Sequence, residues 1–118
     1  MYKVTRAAEA VPYVPNKHFD VLTTRLHNPD EVNEGTIVHG LSHFLPGGGS
    51  ELGASDFEMI YHCISNEITI ELFDDNDNQE FVTMYAGDSV HFGKGTKRAI
   101  KNNSHKCTEM MTIMIKPR

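Results

Sequence analysis

The chain has 118 residues, enough for one domain with one core and too few for two. Its 11 basic and 16 acidic residues leave a formal charge of −5, which opposes a polyanionic partner. No stretch of the 39% hydrophobic content approaches the ~20 apolar residues of a membrane-spanning helix, so neither a nucleic acid nor a membrane is expected as partner.

The opening segment MYKVTRAAEAVPYVP carries Lys3, Arg6 and Glu9 and lacks the apolar run of a secretory signal, so the expected compartment is the cytoplasm. Residues 1–15 read as an N-terminal arm or an edge strand. Beyond them, short alternating or β-branched runs predict strands at Phe19–Leu26, Gly35–Leu45, Glu58–Ile64, Glu67–Phe73, Glu80–Tyr85, Ser89–Phe92, Lys97–Lys101 and Cys107–Ile115. Residues Asn28–Glu34 form one short helical turn at most. Turn clusters separate the strands: PGGGS (Pro46–Ser50), DDNDN (Asp74–Asn78), AGD (Ala86–Asp88), GKG (Gly93–Gly95) and NNSH (Asn102–His105). DDNDN lacks the spaced glycine and distal Glu of a calcium loop and reads as a polar hairpin. The dense basic residues Lys94, Lys97, Arg98 and Lys101 read as a strand edge with a turn rather than a nucleic-acid stripe. Cys63 and Cys107 stand outside any CxxC pair and read as buried thiols.

Two segments carry a family resemblance. The first, Gly47 to Asn66, runs GGGSELGASDFEMIYHCISN; the second, Gly87 to Asn102, runs GDSVHFGKGTKRAIKN. Their spacing resembles the two motifs of the cupin superfamily. The resemblance implies an all-β fold: a single-domain cupin-like double-stranded β-helix, or jelly-roll barrel, over residues 1–118. It also implies a homodimer, for which the faces of Phe19–Leu26 and Gly35–Leu45 are candidates.

In the family, two His and a Glu or Gln of the first motif and a His of the second hold a metal. At those positions this chain has Gly53, Ser55, Met59 and Arg98, and Gly93 stands where a proline is usual. A divalent transition metal needs three or four N, O or S donors converging at about 2.0–2.3 Å, and a guanidinium repels it. No metal and no other cofactor is therefore expected. A one-residue slip would bring in Glu58 but not the missing His pair. His39 and His43 share a strand face at roughly 13 Å, too far apart to chelate one ion.

If these positions face inward, alternation adds Tyr61 and Cys63 beside Met59, and Ile100 beside Arg98. The expected ligand site for a small molecule in the barrel is thus Ser55, Met59, Cys63, Arg98 and Ile100. Arg98 needs an anion, either a protein carboxylate such as Glu51, Glu58 or Glu109 or a ligand. The catalytic candidates are Arg98 to polarise an oxyanion, Tyr61 to donate a proton, and a histidine base, His91 first and His43 or His62 after it. The methionines of the strands serve as core filling or as soft pocket walls.

Three functions stay open at this point. One is a metal-independent isomerase, cyclase or lyase acting on a small anionic or phenolic metabolite by acid–base and electrostatic catalysis. The second is a non-catalytic ligand-binding or accessory barrel, and the third a metal-dependent enzyme with a rebuilt His site.

Overall fold

The computed structural model describes residues 1–117. Nine strands account for most of the chain: β1 (Val11–Tyr13), β2 (His18–Arg25), β3 (Ile37–Gly53), β4 (Glu58–Cys63), β5 (Glu67–Phe73), β6 (Gln79–Tyr85), β7 (Ser89–Phe92), β8 (Arg98–Lys101) and β9 (Thr108–Ile115). Two short 3₁₀ turns, Ala7–Glu9 and Val32–Gly35, are the helical content. All pairings are antiparallel, in the order β6-β5-β8-β3-β9-β4-β7, with β2 on β3 and β1 on β2. The expected all-β cupin-like barrel is present.

Strand alternation explains the core. Val38, Gly40, Ser42 and Phe44 of β3 face inward with Met59, Tyr61 and Cys63 of β4, Ile68 and Ile70 of β5, and Met110 of β9. Residues between them, such as His39, His43 and His62, face outward. Burying a large apolar side chain contributes about 1.5–3 kcal/mol, so this one-sided pattern fixes the register.

The single 17-residue strand β3 joins the two halves of the sheet that forms the barrel. Its first half pairs with β9 from Ile37↔Ile115 to Phe44↔Thr108, and its second half pairs with β8 through Ser50↔Ile100 and Gly53↔Arg98. The expected PGGGS turn is therefore a bend inside a strand. Glycine is required there for approach rather than reversal. A Cβ on Gly48 would stand 2.2 Å from the Asp20 carbonyl oxygen, and one on Gly49 would stand 1.9 Å from that of Ile100.

Asn102 secures this bend from inside. Fully buried, its amide nitrogen donates to the carbonyls of Phe44 (3.1 Å), Leu45 (3.2 Å) and Lys106 (2.8 Å), while Oδ1 accepts from the Ser104 backbone and hydroxyl. The DDNDN segment is the expected hairpin: Asp74 Oδ1 accepts the backbone N–H groups of Asn76 and Asn78. Cys63 is buried as expected, but Cys107 is exposed because it lies in the loop before β9.

Candidate functional site

The barrel encloses a cavity of ≈ 70 Å³. Arg98 of β8 and Tyr61 of β4, strands on either side of β3 and β9 in the sheet, reach it, and Met59, Met110, Met114, Ile100, Ser42 and Thr112 line it. Tyr13, Pro15 and His18, from the segment around β1 and the start of β2, close one side.

Arg98 is half-buried and held by neutral groups. Its Nε donates to Tyr61 Oη at 3.1 Å, its Nη2 lies 3.9 Å from Met59 Sδ, and its guanidinium carbon sits 5.8 Å from the centre of the Phe92 ring. Phe92 in turn packs edge-on against Tyr61, with ring centres 5.0 Å apart. Among the described residues the ion pairs are Lys3–Glu31, His27–Glu31, His91–Glu58 and Lys97–Asp77. None reaches Arg98, so the carboxylate partners considered for it, Glu51, Glu58 and Glu109, do not neutralise it.

Tyr61 is 2% exposed, and burial, opposed by Arg98, raises its pKa, so the phenol stays protonated. Because Arg98 Nε can only donate, Tyr61 Oη accepts that bond and keeps its own proton to give. No acceptor for that proton occurs among the described residues.

His18 supplies the group that sequence reasoning missed. Its Nδ1 donates to the Asn16 carbonyl at 2.9 Å, which leaves Nε2 as the basic nitrogen of the neutral ring. Burial lowers its pKa, the Asn16 bond opposes that, and Arg98 lowers it further. His18 opens β2 in a segment without motif character; only the β2–β3 pairing His18↔Ser50 carries it to the barrel.

Of the expected residues, Arg98, Tyr61, Met59 and Ile100 come together on the cavity. The others do not. Cys63 lies deeper in the core, where its thiol donates to the Ser65 carbonyl at 3.4 Å and burial raises its pKa. Ser55 sits in the β3–β4 turn, where its hydroxyl accepts the Phe57 N–H at 3.2 Å. His91 lies on the outer surface of β7 and pairs with Glu58, because it is in register with the outward-facing Ile60. That pairing also places Glu58 outside the barrel.

The family's metal positions do not fit a metal here. Gly53 has no side chain, Ser55 spends its oxygen on a turn, Met59 offers a soft thioether, and Arg98 is a permanent cation. Among the described residues no three His, Cys, Asp or Glu side chains converge, and no helix is long and apolar enough to cross a membrane.

The chain is 30% identical over 115 residues to beta-D-galactosidase Rv1717 of Mycobacterium tuberculosis, a match covering 98% of this chain and 95% of that protein. Among solved structures, a predicted oxalate decarboxylase from Thermotoga maritima superimposes with a TM-score of 0.76 at 19% identity, over 98% of this chain and 100% of that one. The Drosophila melanogaster CENP-C cupin domain gives 0.76 at 15% identity, over 94% and 79%. This chain belongs to the cupin superfamily. No protein-family model matches it. The Lactobacillus farciminis oxalate decarboxylase formate complex also shares the fold, with a TM-score of 0.79 at 14% identity, over 99% of this cupin and 34% of that enzyme.

Proposed function

We propose that this cupin binds a small anionic metabolite in its barrel and acts on it without a metal, as an isomerase or lyase working by proton transfer. The observation that carries the reading is Arg98: a half-buried guanidinium at a family metal position, with no carboxylate paired to it among the described residues. A desolvated cation costs several kcal/mol unless an anion meets it, and here the anion is a ligand.

Cavity size narrows the ligand. An apolar cavity of about 150 Å³ takes a benzene ring, whereas this one is ≈ 70 Å³. A carboxylate or enolate of few atoms fits, and a phenolic ring does not enter without displacement of the Tyr13–His18 segment. His18 Nε2 takes a proton from the carbon next to the carboxylate, the Tyr61 hydroxyl donates a hydrogen bond to the enolate oxygen that develops, and Arg98 balances its charge. With a substrate unsaturated beyond that carbon, return of the same proton from His18 Nε2 to the far end of the enolate, on the face it left, completes an isomerisation with no atom gained or lost. The non-catalytic alternative uses the same grip of Arg98 and Tyr61 without His18 as a base.

Native mass spectrometry of untagged protein, paired with elemental analysis, tests the reading. Sub-stoichiometric metal with a co-purified small acid supports it; one equivalent of Fe, Mn, Ni or Zn overturns it. Tyr61→Phe and His18→Asn then separate the two forms. An enzyme loses turnover while still binding the acid; a carrier has no turnover to lose.

The relative's name supplies a second reading, hydrolysis of a galactoside. Glycoside hydrolysis generally needs two carboxylates flanking the bond, and the barrel cavity has none. A separate groove has two, Glu51 and Glu71, and Phe19 and Phe81 also line it. Release of nitrophenol from a nitrophenyl β-D-galactoside that disappears in Glu51→Gln and Glu71→Gln but survives in Arg98→Gln would favour this second reading. The implied homodimer belongs with either reading: Phe19, Leu22 and Leu45 stay exposed on β2 and β3, and sedimentation showing only the single-chain mass at micromolar concentration removes it.

A further inference from the structure

The Gly53 position holds more than a missing ligand. A β-carbon at residue 53 would stand 3.7 Å from Lys17 Nζ and 4.0 Å from Arg98 Nη1. Two cations thus converge where the first family metal ligand would be rooted. Neither forms an ion pair among the described residues. Like charges brought together without counter-charge repel, and an arrangement of this kind is stabilised by an anion that bridges them.

The backbone supports a dedicated role for Lys17. It occupies the third position of the turn closed by the His18 N–H on the Pro15 carbonyl (3.4 Å), with a φ of 63°. Glycine or asparagine is the ordinary choice there, and a lysine is held in this region at a conformational cost. The turn is tied to the rim of the barrel by the Glu51 N–H, which donates to the Lys17 carbonyl at 2.9 Å. The Glu51 side chain meanwhile lines the separate groove. On the cavity side of Arg98, the Tyr61 hydroxyl proton has no acceptor among the described residues although the side chain is 2% exposed. Arg98 and Tyr61 offer donors on the cavity, and the exposed Lys17 adds a third beside Arg98 at the Gly53 rim.

We infer that the site takes a compact doubly charged oxyanion, bridged between Lys17 and Arg98, with Tyr61 donating to it from the cavity side. This rests on the reading of the barrel as an anion site and deepens it: the ligand carries a phosphate group or two closely spaced carboxylates rather than one carboxylate. A single carboxylate satisfies Arg98 and leaves Lys17 without a partner.

Calorimetric titration of the full chain with acetate, malonate and inorganic phosphate tests this, using wild type, Lys17→Asn, Lys17→Arg and Arg98→Gln. Asparagine suits the positive φ, so Lys17→Asn removes the charge without strain. The expected result is tighter binding of malonate or phosphate than of acetate, with that preference falling about tenfold in Lys17→Asn and returning in Lys17→Arg. Preference for phosphate over malonate assigns the head group to a phosphate ester, and the reverse assigns it to a dicarboxylate. Equal binding of acetate and the dianions, unchanged in Lys17→Asn but lost in Arg98→Gln, overturns the bridged dianion while leaving the anion site standing. No binding of any of the three to wild type overturns both.

Discussion

Arg98 and Asn102 lie four residues apart and illustrate opposite uses of a polar side chain inside a barrel. Asn102 is satisfied on every side by main-chain groups and the Ser104 hydroxyl. Asn102→Ala leaves several of these unpaired at about 1–3 kcal/mol each, so a fall in melting temperature of roughly 10 °C or more is expected by calorimetry. Asn102→Asp turns the donor into an acceptor facing three carbonyls and is at least as damaging. Arg98, bound only to a phenol and a thioether, holds little of the fold: Arg98→Gln keeps the melting temperature within a few degrees of wild type. At His18 the sign of the pH effect follows from burial. Its folded pKa lies below the ordinary 6.5, so the unfolded chain takes up the proton first as pH falls. The stability it contributes is complete above about pH 6.5 and declines below it toward the folded pKa. His39, lowered by burial and by the stacked His27, acts in the same direction. Thermal unfolding between pH 7.5 and 5 should show that decline in wild type and less of it in His18→Asn combined with His39→Asn.

At the scale of elements, the bend of β3 decides how its pairing passes from β9 to β8. Gly49→Ala forces a Cβ into the Ile100 carbonyl and is expected to cost about 3 kcal/mol or more, while Gly93→Ala, with nothing within 4 Å of its Cβ, should change stability by less than about 0.5 kcal/mol. Chemical denaturation of the two variants checks the contrast. Alternation made most strands legible in the sequence, because residues such as Met59, Tyr61 and Cys63 can be buried on one face only in one register. The glycine run was misread as a turn because a strand bend and a reversal use the same residue; the carbonyls of Asp20 and Ile100 that distinguish them come from distant segments. Residues 1–15 read as an arm or an edge strand; Val11–Tyr13 pair with β2 as an edge strand, and three residues carry too little pattern to decide between the two.

For the whole molecule, family spacing brought Arg98, Tyr61, Met59 and Ile100 to one cavity, since each lies on a strand whose inward face the motifs fix. Lys17 and His18 were not legible because no motif includes them. His18 reaches the cavity by the β2–β3 pairing with Ser50, a tertiary contact between segments some thirty residues apart in the chain, and the turn before it brings Lys17 beside Gly53 and Arg98. Ser55 is itself a ligand position of the first motif and His91 lies inside the second, yet the β3–β4 turn and the pleat send them elsewhere. What results is a barrel that keeps the cupin architecture and presents donors and positive charge where the family presents metal ligands.

The most direct measurement of that claim is the side-chain Nε resonance of Arg98, assigned through the Arg98→Gln variant and followed by ¹⁵N NMR while small organic acids and phosphate are titrated into metal-free protein. The account predicts a saturable shift of that resonance at anion concentrations that leave those of Arg6 and Arg25 in place. A resonance that stays fixed with every anion, or moves only when a divalent metal is added, would contradict it.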